Sequence, residues 1–174
     1  MANASGSAVI TAVVSDDGGM ANGEVNAATN TFTVTVTAVN DAPTLAAISN
    51  PAAILENAGL QTVNLSGIGA GGGETQTLAV TATSSNTGLI PNPTATYTSP
   101  NATGTLTYTP VANASGSVVI TVIVSDDGGT ASGGANAVTS NFTVAVTAAP
   151  TANHAPAGTD KAITISEDTS YTFS

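Results

Sequence analysis

The chain has 174 residues and a formal net charge of −10, and only one residue in the whole sequence is Lys or Arg. Because nucleic-acid binding and docking on an anionic membrane both need several cationic side chains, this composition argues against either partner. No run approaches the ~18 apolar residues of a membrane span, so direct membrane insertion is not predicted, and the sparse carboxylates favour a divalent cation as partner.

Alternating apolar and polar residues predict a chain of short strands. Residues 32–37 are the clearest case, because Phe and Val alternate there with Thr, as a half-buried strand requires. Because aromatic residues make up only 3% and Trp is absent, the core is predicted to consist mainly of Val, Ile, Leu and Ala, with the Phe residues also in core positions. The thirty Thr residues supply much of the polar surface and favour strands. The predicted strands in chain order are 8–14, 32–37, 61–65, 77–83, 94–98, 104–109, 118–124, 142–147 and 162–166.

An internal repeat is the strongest signal in the sequence. Residues 3–38 align without gaps to residues 113–148, and 25 of these 36 positions are identical. The linker 40–43, Asn-Asp-Ala-Pro, returns as Asn-His-Ala-Pro at 153–156, so the period is 110–113 residues. That period suits a sandwich domain of about seven strands. We therefore divide the chain into the end of one repeat (1–39), a complete repeat (40–152) and the beginning of a third (153–174).

No catalytic constellation is found in the sequence, and we predict that the chain is not an enzyme. The single histidine, His154, falls in a predicted linker, and Lys161 is the only basic side chain. Neither is placed beside a candidate nucleophile, as covalent catalysis would require. The glycine run 71–73 lacks the strand–loop–helix context of a phosphate-binding loop and is interpreted as a flexible turn.

Acidic residues recur at equivalent positions of the repeat. Asp16 and Asp17 match Asp126 and Asp127, and Glu56 matches Glu167. Calcium is bound by six to eight oxygens, which carboxylates next to glycines at strand ends are able to supply. The alternative is that Asp-Asp-Gly-Gly is a hairpin turn, and the two interpretations are compatible.

These motifs together resemble the bacterial cadherin-like tandem repeats of large surface and secreted adhesins. The resemblance rests on Ser-Asp-Asp-Gly-Gly, the Phe-Thr-Val strand, the Asn-Asp-x-Pro linker and the early Glu segment 54–57, and it covers nearly the whole chain. It implies an all-β, immunoglobulin-like antiparallel sandwich with a Greek-key path. It also implies calcium where repeats meet. The ligands carried over by position are Asn40, Asp41, Glu56, Asp126, Asp127, Asp16, Asn153 and Glu167.

The resemblance further places Asn40, Asp41 and Asp126 at one junction, and Glu56 at the opposite end of the repeat, near Asn153. Where the family has an Asp-x-Asp motif, this chain has the glycine run followed by Glu74.

The leading functional hypothesis is a structural or adhesive module of a large extracellular protein, with neighbouring repeats as its partners. Two alternatives are open. One is a filament subunit in which copies join by strand addition at open sheet edges. The other is a module that binds glycans or cells, for which Tyr97 and Tyr108 are the candidate contact residues.

Overall fold

The computed structural model describes residues 3–18, 23, 25–150, 158, 164–168, 170 and 172. These residues form nine strands and one short 3₁₀ turn at Ala131–Gly133. The all-β prediction is therefore confirmed. In this part of the chain, no helix could span a membrane. The strands are β1 (Gly6–Ser15), β2 (Ala27–Val36), β3 (Ile54–Leu55), β4 (Gln61–Ser66), β5 (Ala79–Ser84), β6 (Thr94–Thr96), β7 (Thr103–Tyr108), β8 (Gly116–Ser125) and β9 (Ala137–Thr147).

Two sheets of the middle repeat pack face to face. The larger has the order β3-β9-β8-β5 and the smaller the order β4-β7-β6. All pairs within them are antiparallel except β3 with β9, where Ile54 lies opposite Val146 in a parallel register. That short parallel pair was not predicted, because two residues are too few to give a periodic pattern. The immunoglobulin-like and Greek-key assignments stay predictions.

The core lies between these two sheets and follows the alternation of the sequence. In β9, Phe142, Val144 and Val146 are buried, while the residues between them are partly exposed. In β8, the inward set is Val118, Ile120, Val122 and Val124. The smaller sheet supplies Leu65, Leu106 and Tyr108, and burial raises the pKa of the Tyr108 hydroxyl. Each buried aliphatic side chain contributes roughly 1.5–3 kcal/mol to folding.

Tyr97, just after β6, also packs against this core, so both tyrosines that were candidates for glycan contact are packing residues.

The first hairpin, β1–β2, is a structural copy of β8–β9. Gly6 pairs with Val36 in the same register in which Gly116 pairs with Val146. Every residue of β1 and β2 is nevertheless exposed, and Phe32 is 57% accessible where its counterpart Phe142 is 2%. The expectation that Phe32 is a core residue is wrong for the described residues, because none of their other strands packs on this hairpin.

Other boundaries differ from the predictions in smaller ways. The strand predicted at 77–83 begins at Ala79, because the Thr77 amide instead donates to the Asp127 carboxylate. Residues 162 and 163 of the last predicted strand lie outside the described residues, and 164–166 are not in a strand. Asp-Asp-Gly-Gly does not form a tight hairpin turn; it opens the longer connection 126–136 between β8 and β9.

Candidate functional site at the two poles of the sandwich

The linker residue Asn40 is pinned to one end of the sandwich, which we call the entry pole. Its Nδ2 lies within hydrogen-bond distance of three acceptors, which its two N–H groups share: Asp126 Oδ1 at 2.9 Å, the Gly129 carbonyl at 3.0 Å and the Ala135 carbonyl at 2.8 Å. Its Oδ1 accepts from Gln76 Nε2, and its carbonyl accepts from the Ala135 amide at 3.1 Å. One side chain thus ties the incoming chain to the β8–β9 connection.

The acidic pair that follows β8 holds this connection in place. Asp126 Oδ1 also accepts from the Gly128 amide at 3.0 Å, which closes a local turn of the kind that Asp favours. Asp127 Oδ1 accepts from the Thr77 amide at 3.0 Å and so links the turn to the start of β5. The structure therefore brings the predicted residues Asn40, Asp126 and Asp127 to the same pole.

Asp41 lies beside Asn40 at a shallow cleft between the first hairpin and the sandwich. Its amide donates to Glu74 Oε2 at 3.2 Å, and its carboxylate lies against Gly72. Asn3, at the start of the hairpin, closes the cleft by donating from Nδ2 to the Gly72 carbonyl at 3.0 Å. The cleft lining therefore includes Asp41, Glu74 and the last two glycines of the run, Gly72 and Gly73.

The glycines of this run are required by the backbone. Gly71, Gly72 and Gly73 have φ values of +83°, +47° and +82°, which other residues rarely adopt. A Cβ at Gly72 would run into the Asp41 carboxylate. The run is therefore a shaped loop, not merely a flexible turn.

The opposite end, which we call the exit pole, holds the outgoing chain. Glu56 accepts the Ala149 amide at 3.1 Å through Oε1, and its own amide donates to the Thr147 carbonyl at 2.7 Å. Next to it, Asn57 and Asn113 bond reciprocally: Asn57 Nδ2 donates to Asn113 Oδ1 at 3.2 Å, and the Asn113 amide donates to Asn57 Oδ1 at 3.0 Å. Glu56 thus lies at the end of the repeat opposite to Asn40.

Two further predicted ligands, Asp16 and Glu167, lie outside the middle repeat. Asp16 caps the Gly18 amide at 2.9 Å in the first hairpin, as its counterpart Asp126 caps Gly128. Glu167 lies in an exposed turn, and Asn153 falls outside the described residues. Four of the residues at these poles were not predicted from the sequence: Gln76, Asn57, Asn113 and Asn3. Of these, Asn3 and Asn113 could have been found from the sequence, because they occupy equivalent positions in the repeat.

The chemistry of the entry pole fits a calcium ion in part. Asp126 Oδ2 and Gln76 Oε1 are buried without a hydrogen-bond partner, and the Asp41 and Glu74 carboxylates line the cleft nearby. Asn40, however, turns its nitrogen and not its oxygen towards Asp126. Among the described residues, no three His, Cys, Asp or Glu side chains come together as a metal-binding group. Any ion would depend on backbone and amide carbonyls in addition.

No family model matches the sequence, and the comparison with curated proteins gives no match. Among solved structures, the chain is similar to domains 4 and 5 of the S-layer protein SbsC, with 23% identity over 69% of this chain and a TM-score of 0.43. It is also similar to SbsC domains 1–6 (21% identity, 84% of this chain, TM-score 0.42) and to domains 4–9 (23%, 73%, 0.42). The chain spans 52% of the first of these structures and 17% of each of the other two.

Proposed function

We propose that the chain is a structural repeat module of a large extracellular adhesin or surface filament, and that it has no catalytic role. The observation that carries this proposal is the Asn40 anchor, which fixes the linker to the domain that it enters. The β1–β2 hairpin, which has the same register as the β8–β9 hairpin of the middle repeat, directly precedes that linker. Strands of ten residues span on the order of 34 Å, so each repeat would lengthen an array by about that amount.

Calcium at the junction between repeats would complete this design. The residues that would hold it are Asp41 and Glu74, whose side chains line the cleft. A divalent ion would supply positive charge that offsets the repulsion between these two carboxylates, and it would so hold the linker residue Asp41 to the loop that carries Glu74. Glu56 would serve the next junction, because it already holds the outgoing residue Ala149.

Thermal unfolding of the full chain, first with calcium and then with chelator, tests the calcium role. We expect calcium to raise the melting temperature, because a ligand that binds only the folded state stabilises it. The double variant Asp41→Asn with Glu74→Gln should lose most of that increase. The matched control is Asp16→Asn, because Asp16 makes the same turn as Asp126 but lies in the first hairpin. An unchanged melting temperature would mean that the acidic residues only shape turns.

A second candidate function is self-assembly by strand addition, which the exposed first hairpin favours. Its Ile10, Phe32, Val34 and Val36 side chains are 42–57% accessible, although the equivalent side chains of β8–β9 form the core. In the two-stranded sheet β1-β2 each strand has an unpaired edge to which another chain can add, and the apolar face would pack against that chain. Sedimentation velocity over a range of concentrations separates the two functions. Polymers that disappear in Phe32→Ser would favour assembly, whereas a monomer at all concentrations would refute it.

A further inference from the structure

The loop that begins the first hairpin recurs at the exit pole with the same conformation. Asn3 and Asn113 are equivalent in the repeat, and their φ values are +58° and +57°. Three residues later, Gly6 and Gly116 have φ values of +138° and +143°. The two Asn-Ala-Ser-Gly loops are therefore the same structural element, present once before the linker at Asn40 and once near the end of the middle repeat.

The two loops differ in what the asparagine amide contacts. Asn3 Nδ2 donates to the Gly72 carbonyl of the following sandwich at 3.0 Å. In Asn113, the backbone N–H donates to Asn57 and the side-chain Oδ1 accepts from Asn57, but the side-chain Nδ2 has no acceptor among the described residues. The reciprocal Asn57–Asn113 pair fixes the orientation of the Asn113 carboxamide. It leaves unused the same donor that Asn3 uses across the junction.

We propose that the exit pole is a docking surface for the glycine run of a following repeat of this same kind, with Asn113 Nδ2 as the donor. The partner loop has the chemistry of residues 71–73, in which a side chain on the middle glycine would meet the Asn3 amide, so that glycine leaves room for this donor to reach the carbonyl. Glu56 holds the outgoing chain next to this surface through Ala149. This inference rests on the proposed function as a repeat module, but it requires no metal.

The strength of such docking depends on the linker. One neutral hydrogen bond shifts an equilibrium by only about two- to tenfold, which is too little to hold two separate proteins together. A short linker makes the contact intramolecular and raises the effective concentration of the partner loop. Docking is therefore expected within one array and not between free chains. The measurable effect is on the spread of orientations between neighbouring repeats.

The test uses the full chain extended after Ser174 by a second copy of residues 64–150. Since residues 153–174 correspond to residues 40–63, this extension completes a third repeat with its own glycine run. The chain has no cysteine, so pairs of spin labels can be placed on introduced cysteines. One pair, at Thr31 and Thr62, spans the first junction. The other, at Thr62 and the appended copy of Thr83, spans the second. Distance distributions are measured in chelator.

The decisive variant is Asn113→Asp, because aspartate keeps an oxygen that accepts from Asn57 and replaces the donor Nδ2 by a carboxylate oxygen, which repels a carbonyl group. We expect it to abolish the narrow distance distribution across the second junction and to leave the first unchanged. Asn3→Asp should have the opposite pattern. On the receptor side, Gly72→Ala should broaden the first junction more than Gly73→Ala, because only a Cβ at Gly72 meets Asp41 and Asn3.

Two results would overturn the docking proposal. One is a distance distribution across the second junction that is already broad in the unsubstituted chain. The other is a distribution across that junction that stays narrow in Asn113→Asp. If calcium then narrows both junctions regardless of Asn113, the calcium role stands and direct docking fails. If Asn113→Asp broadens the second junction and calcium changes neither, direct docking stands and the calcium role fails.

Discussion

Replacing Asn40 by Ala removes the contacts that hold the linker at the entry pole. The two N–H groups of the side-chain amide are shared among three acceptors, and its Oδ1 accepts one hydrogen bond from Gln76. A neutral hydrogen bond contributes about 1 kcal/mol and one to a carboxylate about 1.5–3 kcal/mol, but water replaces part of this at a half-exposed site. We therefore expect Asn40→Ala to lower the free energy of unfolding by about 3 kcal/mol, at the upper end of the usual range for one substitution, because one side chain holds several contacts.

For a domain of this size, that loss corresponds to a fall of about 10–15 °C in melting temperature. The assay is thermal unfolding followed by far-ultraviolet circular dichroism, with chelator present so that calcium does not contribute. Asn64→Ala is the matched control, because Asn64 is exposed on β4 and its side chain makes no hydrogen bond among the described residues. If the two variants melt within about 1 °C of each other, Asn40 is not an anchor and the argument for a fixed linker is wrong.

Further predictions concern the core. Phe142→Ala should cost about 3–5 kcal/mol by urea unfolding, because the side chain is buried, whereas the equivalent Phe32→Ala should cost less than about 1 kcal/mol. Equal costs would mean that the first hairpin is also packed. Burial raises the pKa of Tyr108 above its ordinary value of 10.0, so the contribution of this group is intact below pH 10 and lost as pH rises through its pKa in the folded protein. The melting temperature should therefore fall as the pH rises above 10, and it should fall less in Tyr108→Phe. An equal dependence of melting temperature on pH in the two proteins would contradict this prediction.

Local sequence was sufficient to predict strands and their inward faces, because alternation reports which side of a strand is apolar. Phe142, Val144 and Val146 alternate with more polar residues and are the side chains that the structure buries. The first hairpin has the same pattern and the same register, yet its apolar face is open. Alternation therefore indicates which face requires a partner, but it contains no information about where that partner comes from.

The candidate site was predictable to the extent that it follows from repeat-equivalent acidic residues. Asn40 and Asp126 do meet, although 86 residues separate them in the chain. The contacts through Gln76 and through the Asn57–Asn113 pair were not predictable, because each joins loops that only the folded sheets bring together. The orientation of the Asn40 amide was not predictable either, and it decides whether that residue acts as a hydrogen-bond donor or as a metal ligand.

Three contacts at the entry pole restrict the junction more than any one of them. Asn40 bonds to the β8–β9 connection, the Asp41 amide bonds to Glu74, and Asn3 reaches Gly72 from the preceding hairpin. Between Val36, the last residue of β2, and the Asn40 anchor only residues 37–39 remain. Because these three residues can reorient only through a few backbone dihedral angles, Asn3 is kept close to the Gly72 carbonyl. Under the proposed calcium role, the ion would stiffen a junction that these contacts already confine. Removing calcium alone should then widen the range of junction angles less than removing the Asn3 and Asn40 contacts together.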